Sequence, residues 1–167
     1  MDLLYEVKSV LERRKHPGDL PLLNELVESF ALNVSINDKK ILRYKAMGAI
    51  LLLAIPIISS TVSFAVNMTD SAQFQAPVSW LRGTVPTLSL VLTLLTVLNS
   101  VLKPSVRFTR SCQIGVELFH WRCAFLEDLE KVDLADEKHF LDCLAKHRQT
   151  LRKIQEAQIS LALPDQA

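Results

Sequence analysis

The sequence has 167 residues, of which 49% are hydrophobic and 22% charged, and its formal net charge is +1. Eight Lys/Arg face seven Asp/Glu in residues 1–45, and residues 103–167 hold ten of each sign. Because both ends are close to neutral, the composition excludes a basic nucleic-acid-binding tail, and no nucleic-acid partner is expected.

The first 37 residues are predicted to form two amphipathic helices, separated by the helix-breaking run His16-Pro17-Gly18-Asp19. The apolar face of the first carries Leu3, Leu4, Val7, Val10 and Leu11, and that of the second carries Leu22, Leu23, Leu26, Val27, Phe30, Ala31 and Val34. Since their polar faces are balanced in charge, we expect both to pack on other helices rather than on lipid. Asn37 or Asp38 is expected to cap the next helix.

Two long uncharged stretches follow. No charged side chain occurs in the 24 residues from Ala46 to Thr69 or in the 20 residues from Gly83 to Leu102. About 20 apolar residues suffice for a helix to cross a hydrocarbon core of roughly 30 Å. The sequence therefore predicts an all-α membrane protein, with a transmembrane hairpin over 38–103 and spans at about 46–67 and 83–102.

The charges beside these stretches predict the topology. Basic residues approach the first span and follow the second, at Lys39, Lys40, Arg43, Lys45, Lys103, Arg107 and Arg110. Short loops rich in Lys and Arg stay in the cytoplasm, so both termini are expected inside and the loop near 67–82 outside. Membrane lipids are the first expected partner, and the three cysteines are expected to be free thiols.

A regular pattern of polar residues runs along the second span. Arg82, Pro86, Ser89, Thr93, Thr96, Ser100 and Lys103 follow one another at spacings of 4-3-4-3-4-3. This spacing puts them on a single helical face, which we call the polar stripe. Small hydroxylated residues on one face are typical of close helix packing in lipid. The same face is also what several copies would need to line an aqueous pore, with Arg82 and Lys103 at its mouths.

The C-terminal part, 104–163, is predicted to form a cytoplasmic helical hairpin, followed by a disordered tail at 164–167. Its first helix is expected from about Ser105 to Val132, and Asp133 is a suitable N-cap for the second. Heptad spacing in the second helix involves Phe140, Leu144, His147, Leu151, Ile154, Gln158 and Leu161. All of these except Gln158 are candidate oligomerisation contacts, because such a face commonly pairs with another helix.

No motif for enzymatic chemistry is present. The sequence lacks a nucleophile elbow, a phosphate-binding glycine loop, HExxH and paired CxxC, so neither a catalytic residue nor a cofactor is expected. His139, Cys143 and His147 share one helical face, and His120 and Cys123 lie one turn apart on the preceding helix. This spacing matches no known zinc finger, and such residues are ordinary on packed helices. No metal site is predicted.

The layout resembles the SLATT family of small bacterial two-span proteins. The resemblance covers roughly residues 40–130 and rests on Leu42-Arg43-Tyr44-Lys45 before the first span, and on Arg107-Phe108-Thr109-Arg110 and Glu117-Leu118-Phe119-His120-Trp121 after the second. It implies the bacterial inner membrane and an effector that forms a pore or perturbs the membrane in an anti-phage, nucleotide-signalling system. If a nucleotide second messenger binds, Arg107, Arg110 and Arg122 are the candidate phosphate contacts.

Three functions are thus compatible with the sequence. The first is an oligomeric pore-forming effector, activated by a nucleotide or by a sensor protein. The second is a non-conducting membrane scaffold that recruits a cytoplasmic partner through its helices. The third, a small membrane enzyme using the His/Cys residues, is the least supported.

Overall fold

The computed structural model describes residues 3–14, 21–70, 79–133 and 136–160. Of these, 96% are helical and none lies in a strand, which confirms the predicted all-α class. The helices are α1 (Leu3–Arg13), α2 (Pro21–Asp70), α3 (Ser79–Leu102), α4 (Pro104–Lys131) and α5 (Glu137–Ser160). The chain divides into two compact units: the packed unit, Met1–Leu42 with Phe108–Ala167, and the hairpin unit, Arg43–Arg107.

The packed unit has a core to which four helices contribute. Its buried apolar residues are Leu3, Val7, Val10 and Leu11 of α1; Leu23, Leu26, Val27 and Phe30 of α2; Ile114, Leu118, Trp121, Phe125 and Leu129 of α4; and Phe140, Leu144, Leu151 and Ile154 of α5. The rings of Phe30, Trp121 and Phe125 stack in sequence, with both centroid separations at 5.0 Å. The amphipathic N-terminal helices thus pack on the C-terminal ones, as expected from their balanced charge. Leu22 and Ala31 stay exposed, so the buried face of α2 is narrower than predicted.

Helix α2 is continuous across the position where a new helix was expected to begin. No proline or glycine occurs from 22 to 47, so nothing interrupts the backbone hydrogen bonds there. Asn37 is 2% exposed, and its side-chain Nδ2 donates to the backbone oxygen of Ser111 at 3.1 Å. The predicted cap at Asn37 or Asp38 is therefore wrong: Asn37 joins α2 to α4 instead.

The N-cap of α5 also differs from the prediction. The backbone N–H of His139 donates to Asp136 Oδ1 at 3.2 Å, which is the contact that an N-cap side chain makes with the third helical residue. Asp133 instead accepts a hydrogen bond at its backbone oxygen from the N–H of Asp136, also at 3.2 Å. The N-cap of α5 is therefore Asp136, three residues after the predicted position.

The hairpin unit contains one buried face on each of its long helices. On α2 the most covered positions include Tyr44, Leu51 and Ala65, and a Cβ added at Gly48 would lie 3.9 Å from the Cβ of Pro104. On α3 the half-buried residues include Val85, Leu88, Leu92, Leu95 and Leu102. Since these recur at three- and four-residue spacing, we infer that apolar side chains form the contact between the two helices.

Several predicted features lie outside the described residues. These are the break at His16–Asp19, residues 71–78 of the loop between the spans, Leu161, and the tail at 164–167. The remaining loop positions are helical, since α2 ends at Asp70 and α3 begins at Ser79.

Candidate functional site: the polar face of α3

The apolar helices of the hairpin unit are scarcely covered by the chain itself. The most apolar 18-residue stretches of Pro21–Asn67 and Gly83–Lys131 are 11% and 0% buried. A core helix of a soluble domain would bury most of such a stretch, because exposed apolar area costs about 25 cal/mol per Å² in water. The chain thus has two helices long and apolar enough to cross a membrane, and their apolar surface faces outward as lipid contact requires.

Most described residues of the polar stripe lie outside the contact between α2 and α3. Pro86, Thr93, Thr96 and Ser100 are exposed, and Ser89 is half-buried beside the leucine face. The stripe and the leucine face are therefore two different sides of α3. Close packing within the hairpin does not account for the stripe, and this face is available to lipid, to water or to another copy of the chain.

The threonine hydroxyls of the stripe bond to their own helix. Thr93 Oγ1 donates to the backbone oxygen of Ser89 at 2.9 Å, and Thr96 Oγ1 donates to that of Leu92 at 2.8 Å. Each hydroxyl proton is thus satisfied without an outside partner, while the oxygen lone pairs still face outward. Such a helix face can therefore pack against an apolar surface without leaving a hydroxyl proton unpaired, and it can also accept hydrogen bonds from water.

The polar stripe ends at a break in the helical backbone at Lys103. Lys103 has a φ of 41°, in the left-handed region that non-glycine residues seldom adopt. Its N–H donates to Asn99 O and its oxygen accepts from the N–H of Arg107, both at 3.1 Å. Pro104 then begins α4, where its missing N–H costs nothing. Lys103 is exposed, whereas the side chain of Arg82 lies outside the described residues.

The candidate phosphate contacts have different surroundings. Arg110 is exposed and Arg107 half-buried, each on the first two turns of α4. Arg122 is engaged already: its Nε donates to Glu6 Oε2 at 3.0 Å, and its terminal nitrogen bonds the other carboxylate oxygen. A guanidinium held in this two-bonded manner has its charge neutralised within the chain, so it is not ready for an anionic ligand.

The heptad face of α5 is covered inside the subunit. Phe140, Leu144, Leu151 and Ile154 are at most 6% exposed and belong to the four-helix core. His147 and Gln158 are buried with them. The candidate oligomerisation contacts among the described residues therefore pack within one chain, because α1, α2 and α4 supply the apolar surface that the heptad face needs.

The His and Cys residues do not converge as one group. His139 is 77% exposed and pairs with Asp136, with 2.7 Å between Nδ1 and Oδ2, and both His120 and Cys123 are exposed. Cys143 and His147 instead lie with Asp128 of α4. The sequence did not indicate Asp128 as a possible metal ligand, because its distance from Cys143 and His147 depends on how α4 and α5 align.

Comparison with protein-family models finds no match. Comparisons with curated proteins and with solved structures also find no match.

Proposed function

We propose that this protein is a bacterial inner-membrane effector whose copies assemble through α3 and permeabilise the membrane, by a pore or a comparable lesion. The observation that supports it is the exposure of Thr93, Thr96 and Ser100 in the polar stripe, away from the leucine contact between α2 and α3. In lipid alone a hydroxylated face gives no advantage over leucine. It becomes useful when several copies direct it to a shared axis.

The proposed topology has both termini in the cytoplasm. Lys39, Arg43 and Lys45 precede the apolar stretch of α2, and Lys103 and Arg107 follow α3. With this orientation the packed unit lies in the cytoplasm, where it is exposed to intracellular signals. Lys103 copies would then surround the inner mouth and favour anions.

The proposed trigger is a nucleotide second messenger or a sensor protein, as the resemblance to the SLATT family implies. Among the three candidate cations, Arg110 is the best placed for a phosphate because it is exposed, whereas Arg122 is held by Glu6. Binding at the packed unit would have to alter the assembly of α3 in order to open the membrane.

A non-conducting scaffold is the second candidate. The hydrogen bonds from Thr93 and Thr96 to the backbone of α3 favour a scaffold. Because these hydroxyls need no water as a partner, the polar stripe can pack closely against another helix. In this case the assembled spans only anchor the packed unit, which then recruits a cytoplasmic protein.

Flux through reconstituted liposomes separates the two candidates. The pore proposal expects wild-type protein to release a small anionic dye, and Thr93→Leu with Thr96→Leu to abolish release while the detergent-solubilised mass is unchanged. Thr87→Leu is the matched control: it is exposed and lies nine residues, or two and a half turns, from Thr96, on the opposite side of α3. Absence of release by wild type, or equal release by the double variant, contradicts the pore.

A further inference from the structure

Three potential metal ligands meet between α4 and α5 in the packed unit. Asp128 lies on α4, and Cys143 and His147 lie one turn apart on α5. One donor atom from each residue lies within 4.8 Å of the other two. His147 Nε2 lies 3.0 Å from Asp128 Oδ2. The cluster is far from the polar stripe in sequence and has no part in the function proposed above.

The distances suit a small divalent ion. Zinc binds thiolate, imidazole and carboxylate donors at about 2.0–2.3 Å, which puts neighbouring donors roughly 3.3–3.7 Å apart around a tetrahedral ion. The three donors, all within 4.8 Å of one another, are therefore about 1 Å from that spacing at most. A mixed sulfur, nitrogen and oxygen set favours zinc or cobalt over magnesium or calcium, which prefer oxygen alone.

The imidazole of His147 is held in position by its packing. The residue is 4% exposed, and its ring packs edge-on against Trp121 and Phe125 at centroid distances of 5.8 and 5.1 Å. Trp121 Nε1 donates to the backbone oxygen of His147 at 3.0 Å. Burial lowers the pKa of His147.

Cys143 supplies the sulfur donor of the cluster. It is half-buried, and burial together with the nearby Asp128 carboxylate raises the pKa of its thiol. A catalytic cysteine needs a lowered pKa, which this environment opposes. A divalent ion would supply the positive charge that the thiolate lacks and would displace its proton.

A cation already balances Asp128. Lys146 Nζ lies 3.0 Å from Asp128 Oδ2, and this ammonium lowers the pKa of the carboxyl group. The Lys146 side chain is 69% exposed, so it can withdraw into solvent at little cost. An open groove lined by Asp128, His147 and Thr150 leads to the cluster. The groove gives solvent access to the Asp128 and His147 donors.

We propose that Asp128, Cys143 and His147 form a binding site for a divalent transition-metal ion of the zinc type, with water as the fourth ligand. Such an ion would tie α4 to α5 beside the aromatic core. The site is independent of pore formation.

Titration of the metal-free, detergent-solubilised full-length chain tests this site, with Zn²⁺ and Co²⁺ as the probes. The proposal expects one ion per chain by calorimetry, and a near-ultraviolet sulfur-to-cobalt absorption band that requires a thiolate ligand. Cys143→Ser is expected to remove the band and to weaken Zn²⁺ binding at least tenfold. Cys123→Ser, which alters an exposed cysteine of α4 outside the cluster, is expected to keep both.

Lys146→Ala provides a second variant at an exposed position that leaves the core unchanged. Because it removes the cation that competes for Asp128, it is expected to tighten Zn²⁺ binding several-fold. Failure of the folded wild type to bind Zn²⁺, or a cobalt band that survives in Cys143→Ser, would overturn the proposal. Unchanged or weaker Zn²⁺ binding by Lys146→Ala would count equally against it.

Discussion

Arg122 of α4 binds Glu6 of α1 through two hydrogen bonds across 116 positions of sequence. The two side chains are 16% and 26% exposed, so the pair is largely withdrawn from water. It fixes α1 on the packed unit by a charged contact in addition to its apolar face. It also removes Arg122 from the set of cations open to a ligand.

Glu6→Gln is expected to destabilise the packed unit by about 1–3 kcal/mol, because the Arg122 guanidinium loses its charged partner while still partly buried. The control is Glu130→Gln, which breaks the contact with Arg13 at side-chain exposures of 54% and 66% and should cost at most about 1 kcal/mol. Thermal unfolding of the detergent-solubilised variants compares the two. Equal Tm values for the two variants would mean that the buried ion pair contributes no more to the stability of the fold than the exposed one.

Leu151→Ala is expected to cost about 2–5 kcal/mol, since Leu151 is 2% exposed in the four-helix core and its truncation leaves a cavity. Ile159→Ala on the same helix is the control, because Ile159 is 63% exposed.

Because Leu151 and Ile154 are both buried in the four-helix core, Leu151→Asp combined with Ile154→Asp should unfold the packed unit, as followed by circular dichroism. Release of well-folded smaller species would instead place the heptad face between subunits.

Stability of the metal-free protein is expected to fall as the pH drops below about 6.5. The pKa of His147 is lowered by burial, so the unfolded chain takes up a proton that the folded chain excludes. The other titratable groups near the ring are those of Asp128, Lys146 and Cys143. Because carboxyl, ammonium and thiol groups ordinarily titrate outside the range from about pH 5.5 to 7.5, they should contribute little to the change in stability over that range. Tm measured across that range in chelator should therefore decline less in His147→Gln than in wild type. His120→Gln, on an exposed histidine, should retain the wild-type decline.

The topology is expected to expose the loop between the spans outside the cell and Cys123 inside. A cysteine at Ser71, which lies outside the described residues, should react with an impermeant thiol reagent on intact cells in a background without native cysteines. A second variant that keeps Cys123 alone, at its exposed position, should react only after the cells are permeabilised. The reverse pattern would contradict the orientation derived from the basic residues.

If copies of α3 surround a pore, Lys103→Glu should shift its selectivity from anions towards cations, because a ring of like charges dominates the field at a constriction. Lys45→Glu makes the same charge change on α2 at another exposed position and should have a smaller effect. Reversal potentials in planar bilayers measure both. Identical selectivity in wild type and Lys103→Glu would remove Lys103 from the conduction path.

Local sequence patterns were enough to predict the helices of this protein and many of their buried positions. The length of the two uncharged stretches was enough to predict helices long enough to cross a membrane, because hydropathy and helix length depend on neighbouring residues alone. The apolar positions of α1 and α5 followed from helical periodicity in the same way. Exposure of Thr93 and Thr96 on a face separate from the leucine contact agrees with the spacing of the polar stripe.

Tertiary packing decided which faces meet. The sequence could not reveal that the α5 heptads close on the chain's own helices, that Asn37 bonds Ser111 instead of capping a helix, or that Asp128 approaches His147. Each of these depends on the alignment of helices that are separate in the chain. That alignment is set by the combined packing of four apolar faces, so no short stretch of residues encodes it.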